Sequence, residues 1–388
     1  MADIVAFIAL SIWLYLLAGR GAFWLCTERD DWRPVRLPRW PRVVAVVPAR
    51  NEADTIAECI GSLLRQDYPG AWTVILVDDD SSDGTSGIAQ SVAIANGVED
   101  RFCVVTSRGL PAGWTGKLWA LEQGIDAAAA LAQPPDYLLL TDADIVHAPD
   151  SVTRMVGHAE PNGLVLTSLM AKLRCESFAE RAAIPAFIFF FQMLYPFRWV
   201  NRRDRAVAAA AGGCMLVRAD ALRKAGGIEI IRNALIDDCA LAQALKVHGP
   251  IWLGLTERVR SIRPYSGFAD IRRMVARSAY AQLRYSPLLL LGTVAGLTLT
   301  YLAPPLLAMF GGGAARVVAG ITWVLMAIAF QPTLRFYGVS PFWGFALPLI
   351  ALKYLLFTLD SAYQYVRGRG GTWKGRVQAN VQANVPEP

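Results

Sequence analysis

The chain predicts an α/β domain with a mostly parallel sheet and helices on both faces, joined to transmembrane helices. Three observations carry this reading. Between residues 40 and 180, short apolar runs bounded by loops alternate with helix-length segments. That alternation is the pattern of a parallel sheet, whose strands are joined by crossing helices. Long apolar runs are confined to residues 1–25 and 286–366. Finally, only 18% of the 388 residues are charged and 54% are hydrophobic, whereas a soluble protein carries about 25% charge.

The elements follow in order. Residues 4–18 form an apolar stretch, and continuing it to Leu25 gives an expected N-terminal anchor over 1–25. Met1-Ala2-Asp3 lacks the positive start of a cleaved signal. Arg29, Arg33, Arg36, Arg39 and Arg42 come afterwards, so the positive-inside rule puts residues from 29 onward in the cytoplasm. A buried core helix is the alternative. Strands are expected at 43–47, 73–77, 102–106 and 137–141, and helices at 54–66 and 84–95. The aromatic run 184–200 contains Pro185 and Pro196 and precedes Arg202, Arg203 and Arg205. It reads as an interfacial segment, with a buried aromatic core segment as the alternative. Spans are expected at about 287–308, 316–333 and 342–360, followed by a tail over 367–388, basic and then polar. Three crossings would put that tail outside, against the positive-inside rule. A re-entrant segment or a rule-breaking tail would resolve this.

The net charge is +6, from 38 basic and 32 acidic residues. The basic residues cluster beside the apolar runs and form no helical stripe, so no nucleic-acid partner is expected. The six cysteines are scattered without a C-x-x-C pair, and there are three histidines. A zinc site is therefore not expected.

Several motifs fall at strand ends, where open α/β sheets bind ligands. Pro48-Ala49-Arg50-Asn51-Glu52 follows the first strand and Asp78-Asp79-Asp80 the second. Ser81, Ser82 and Asp83 can cap the next helix, which leaves the acids before them to accept hydrogen bonds from a nucleobase. Gly113-Trp114-Thr115-Gly116-Lys117 opens a helix, and Lys117 can supply a point charge to a diphosphate. Asp142-Ala143-Asp144 closes the fourth strand. Alone, such a triplet also fits a solvated turn, but two carboxylates there suit a hard divalent cation such as Mg²⁺ or Mn²⁺. Asp237-Asp238 precedes a helical stretch. These acids fit a general base or the helix dipole.

The ordered series PARNE (48–52), VDDDSSDGT (77–85), GK (116–117), TDAD (141–144), GGCMLVRADAL (212–222) and IDD (236–238) resembles the family 2 inverting glycosyltransferases of GT-A fold. The match spans residues 40–285. The whole chain looks like hopanoid-associated glycosyltransferases and, more distantly, ceramide glucosyltransferases. The resemblance implies a GT-A nucleotide-sugar-binding mixed sheet in a cytoplasmic domain over 40–285, carried on a multi-pass protein of the bacterial inner membrane. It implies that Pro48, Ala49, Arg50, Glu52, Asp79, Lys117 and Asp142 bind a UDP-sugar. Asp144, helped by Asp142, would hold the metal, and Asp238 would deprotonate a lipid or lipid-linked acceptor. Asp237, Gln282, Arg284 and Tyr285 would lie on the acceptor and diphosphate side. The family's Q-x-x-R-W element is imperfect here: Arg284 matches, but Tyr285 replaces Trp, and Gln282 fits only with a register slip. Transfer of one sugar therefore fits better than processive polymer synthesis. A nucleotidyltransferase is expected to carry a glycine-rich loop after its first strand, and 48–52 has no glycine. A non-catalytic scaffold would not be expected to keep all the carboxylates.

Overall fold

Eight strands form one mixed sheet in a computed structural model that describes residues 1–33 and 35–368 and the backbone of the pairs Thr372–Trp373 and Arg376–Val377. The strands are β1 (Val43–Ala49), β2 (Trp72–Asp78), β3 (Phe102–Thr106), β4 (Tyr137–Thr141), β5 (Ile145–His147), β6 (Leu166–Lys172), β7 (Cys214–Arg218) and β8 (Ile251–Ser261). Their order is β3-β2-β1-β4-β7-β6-β8-β5. The half from β3 to β4 is parallel, as the alternation predicts. In the other half β7 runs antiparallel to both β4 and β6, and β5 antiparallel to β8. Only β6 and β8 are parallel there.

Every residue of β1 and β4 is buried, as expected for central strands covered on both faces. β1 is longer than expected, so Pro48 and Ala49 belong to the strand rather than to the following loop. A proline is tolerated there because pairing of β1 with β4 ends at Val46. The helix Gly116–Ala129 lies on the sheet through Gly124. A Cβ on Gly124 would come within 2.3 Å of Val46 and 2.8 Å of Val77, so only glycine permits this close approach.

The chain divides into two compact units. Among the described residues, the sheet unit comprises Glu28–Leu173 and Val200–Arg263, and the helical unit comprises Met1–Thr27, Arg174–Trp199 and residues 264–368. This division differs from the expected 40–285 domain, because 174–199 and 264–285 cluster with the apolar helices. The expected tail lies outside the described residues from 369 onward, apart from the backbone of the two strand pairs.

Among the described residues, four helical stretches are long and apolar enough to cross a membrane: Phe178–Val200, Pro287–Phe310, Gly313–Tyr337 and Trp343–Val366. The first contains the run 184–200, where the sequence predicts an interfacial segment, with a break between Leu194 and Phe197 at Pro196. Its helix begins earlier, at Phe178, behind a capping box of Ser177 and Glu180, and Pro185 sits inside it. The N-terminal helix, Ala2–Ala18, is shorter than the expected anchor. It stops at Gly19, and Gly21 and Ala22 adopt positive φ. Arg20 then donates to the carbonyls of Met193 at 3.1 Å and Leu194 at 3.2 Å, where a cation suits a helix C-terminus. Within Pro287–Phe310, residues Thr298–Leu302 form a π-helical turn just before Pro304-Pro305. Pro304 has no N–H for the carbonyl of Thr300, and the Trp13 indole donates to that carbonyl instead, at 2.9 Å.

Candidate active site

The loops after β1 and β2 are laced together. Asp79 N–H donates to the Ala49 carbonyl at 2.8 Å, Asn51 N–H to Ser81 Oγ at 3.0 Å and Ser82 N–H to Asn51 Oδ1 at 2.9 Å. Glu52 N–H donates to Thr85 Oγ1 at 2.9 Å. Asn51 and Asp80 both adopt left-handed backbone, which short polar residues tolerate better than most. Of the expected capping residues, Asp83 holds the helix start through Thr85 N–H, whereas Ser81 and Ser82 pair with Asn51. Arg50 covers this corner: it donates to the carbonyls of Asp79 and Asp80 and lies 3.8 Å and 3.6 Å from their carboxylates. Asp79 is 1% exposed, while the Asp80 side chain is 80% exposed.

Beyond β4, the triplet Asp142-Ala143-Asp144 is pinned by its backbone. Ile145 N–H donates to the Asp142 carbonyl at 3.2 Å and Ile262 N–H to the Asp144 carbonyl at 3.0 Å. The two carboxylates meet different cations. Asp142 Oδ1 lies 2.9 Å from Lys117 Nζ. Asp144 Oδ2 accepts from Ser261 Oγ at 2.9 Å and from Arg263 Nε at 3.1 Å. Burial pushes the Asp142 carboxyl up, and Lys117 opposes this.

Lys117 is the centre of the arrangement. It stands in the first turn of Gly116–Ala129, whose N-cap Thr115 accepts from Leu118 N–H. A cation is disfavoured at that end of a helix, and acids from two directions neutralise it. Besides Asp142 it reaches Asp237 Oδ2 at 3.2 Å. These carboxylates hold its pKa well above the usual lysine range against the effect of burial.

Asp237 and Asp238 open the helix Asp237–Lys246. Asp238 accepts from Gly212 N–H at 2.9 Å and from Cys239 N–H at 2.7 Å. Its carboxyl is pushed up to about 6, first by burial and then by the neighbouring Asp237, with Lys117 and the two N–H donors pulling the other way. Gly212 sits in the gap: a Cβ there would lie 3.3 Å from Lys117 Nζ and 3.5 Å from Asp238 Oδ2. The far end of the same helix steadies the preceding loop, with Lys246 Nζ donating to the carbonyls of Val200 and Val207 at 2.7 Å and 2.6 Å.

The structure thus brings Lys117, Asp142 and Asp237 into one ion-paired group, with Asp238 beside it. It joins Glu52 to Asp144 through Arg263, whose Nη2 lies 2.7 Å and 2.8 Å from the two Glu52 oxygens. Gln282, Arg284 and Tyr285 lie in the helical unit. There Gln282 donates to Tyr195 Oη at 2.6 Å, Tyr285 stacks on Tyr365 at 4.4 Å, and Arg284 and Tyr285 both adopt positive φ. Sequence reading missed Arg263 and Ser261. A lone arginine beyond a strand carries no local signal, and β8 itself alternates too imperfectly to announce its end.

Among the described residues, no group of three or more His, Cys, Asp or Glu side chains is arranged to hold a metal. The donor set still fits Mg²⁺ or Mn²⁺ shared with a substrate. Two carboxylates at one strand end supply hard oxygens, and such ions are commonly completed by phosphate oxygens and water. All six cysteines are free thiols.

Residues 44–226 match the model of glycosyl transferase family 2. The chain is 32% identical over 144 residues to an N-acetylglucosaminyltransferase of Bradyrhizobium elkanii, an alignment that covers 36% of this chain and 73% of that protein. The chain belongs to glycosyltransferase family 2. The transferase is also 24% identical, over 88% of its length and 87% of the relative's, to the undecaprenyl-phosphate 4-deoxy-4-formamido-L-arabinose transferase of Pseudomonas aeruginosa strain LESB58. Its match takes in only 34%, 41% and 24% of the length of three other N-acetylglucosaminyltransferases. Among solved structures, the mannosyltransferase PcManGT of Pyrobaculum calidifontis, in complex with GDP-Man and Mn²⁺, superposes with a TM-score of 0.53 at 18% identity, covering 94% of this chain and 99% of that one. The transferase therefore has the GT-A fold, and four helical stretches among its described residues are long and apolar enough for membrane association.

Proposed function

We propose that the transferase moves one sugar, with inversion, from a UDP-sugar to a lipid or lipid-linked hydroxyl. The observation that carries this reading is the Lys117 group, with one acid pair at a strand end and a second at a helix start. In this reading the strand-end pair serves the donor. Asp142 and Asp144 would hold Mg²⁺ or Mn²⁺, which when bound offsets the charge that develops on the leaving diphosphate. Lys117 adds a fixed positive charge there. Pro48, Ala49, Arg50, Glu52 and Asp79 form the nucleoside end.

The helix-start pair serves the acceptor. Asp238 takes the proton from the acceptor hydroxyl as that oxygen attacks the sugar's anomeric carbon from the face opposite the diphosphate. A carboxylate raised toward neutrality is a better base than an ordinary one. The same property supports an alcohol over a lipid phosphate as acceptor. A phosphate oxygen is already anionic near neutral pH and needs no base, although the Pseudomonas relative is named for undecaprenyl phosphate. Among alcohols, a hopanoid is the acceptor that the resemblance of the whole chain favours. Asp237 is assigned to the acceptor and diphosphate side. The arginines from Arg29 to Arg42 support a cytoplasmic location for the sheet unit, at the inner membrane of a bacterium.

Lipids from cells with and without the gene, compared by mass spectrometry, test the reading. A missing lipid carrying one hexose-type unit on a hydroxyl is expected. An unchanged glycolipid profile, or tighter calorimetric binding of GDP than of UDP, would overturn it.

A further inference from the structure

The Arg263 guanidinium occupies an unusual position. Its Nε lies 3.1 Å from Asp144 Oδ2, and its Nη2 holds both oxygens of Glu52. Ser261 Oγ donates to the same Asp144 oxygen at 2.9 Å. Asp144 is 13% exposed and Glu52 is 9% exposed at their side chains. One side chain beyond β8 therefore neutralises two acids that come from the ends of β1 and β4. A fixed positive charge this close to a carboxylate opposes the approach of a divalent cation to it. A guanidinium is also the group best shaped to pair with phosphate oxygens.

We propose that Arg263 makes cation binding at Asp144 depend on the donor diphosphate. Without donor it closes Asp144 as an ion pair. With donor it transfers its hydrogen bonds to the diphosphate, and Asp144 is released to the cation. The cation then binds well only together with the nucleotide. This inference rests on the reading of Asp144 as the metal-holding acid. Nothing in it requires a change in the base, Asp238.

The test uses the full chain in detergent or nanodiscs and measures Mn²⁺ binding by calorimetry or electron paramagnetic resonance, with and without UDP. The wild type is expected to bind Mn²⁺ weakly alone and roughly tenfold or more tightly with UDP. Arg263→Ala is expected to bind Mn²⁺ more tightly alone and to lose most of the gain from UDP. Arg263→Lys keeps the charge without the fork. It is expected to bind Mn²⁺ weakly alone and to show a reduced gain, and it carries the test should the alanine variant not fold. Asp144→Ala separates the two levels. If it abolishes Mn²⁺ binding while the Arg263 variants behave as wild type, the gating inference is overturned and the site reading stands. If Asp144→Ala still binds Mn²⁺ as wild type does, the site reading fails and the inference fails with it.

Discussion

The two acid pairs beside Lys117 each give it one carboxylate, Asp142 and Asp237, and differ in how the other is held. Asp142 and Asp144 lie against cations, Lys117 and Arg263. Asp238 is held by two backbone N–H groups and has a second carboxylate beside it. An ion-paired carboxylate can exchange one positive partner for another. Burial beside a like charge pushes the Asp238 carboxyl up to about 6, and burial pushes Asp142 up as well, against the pull of Lys117. The difference supports the proposed division of labour, in which the strand-end pair would hold a cation and Asp238 would take up a proton, with Lys117 paired to Asp142 on one side and Asp237 on the other.

The sharpest way to break this comparison is Asp238→Asn. Transfer should fall about a thousandfold, within the range for loss of a general base, while UDP binding measured by calorimetry stays close to wild type. Near wild-type turnover would remove Asp238 from the role of base. Asp144→Ala should do the converse. Mn²⁺-dependent UDP binding should weaken by about a hundredfold, and binding of UDP without metal should change little. A smaller effect is expected outside the acid pairs. Glu180 is fully buried in the helical unit, where its carboxylate accepts from the N–H groups of Glu176, Ser177 and Tyr265, each at 2.8 Å. Glu180→Ala would leave those donors unpaired and should cost about 3 kcal/mol of stability, read as a lowered Tm with the UDP affinity of the folded fraction retained.

The parallel half of the sheet is legible in the sequence because β1, β2 and β4 are apolar runs separated by helix-length segments. The motifs at 48–52, 78–80 and 142–144 fall at their ends for the same reason. The other half is not legible. β5 has three residues, and β8 carries Glu257, Arg258 and Arg260 among its apolar positions, so neither shows a clean period. Pro185 sits inside the helix Phe178–Leu194, about two turns beyond the capping box of Ser177 and Glu180, and that tolerance is not visible from composition. At the site, each acid pair is visible as a motif, but their connection is tertiary. Lys117 meets Asp237 only because the helices Gly116–Ala129 and Asp237–Lys246 begin at the same place in the fold, and no local pattern records that.

The most direct measurement of the central claim is the pH dependence of kcat/KM for the wild type and for Lys117→Met. The free enzyme's base must be deprotonated to act, and its carboxyl is pushed up to about 6. Wild-type kcat/KM should therefore fall as pH drops through about 6, by roughly tenfold per unit below it. The Lys117 ammonium favours the Asp238 carboxylate, so removing it should move the acid limb to higher pH, whatever it does to the height of the plateau. An acid limb at the same pH in both proteins would contradict the account.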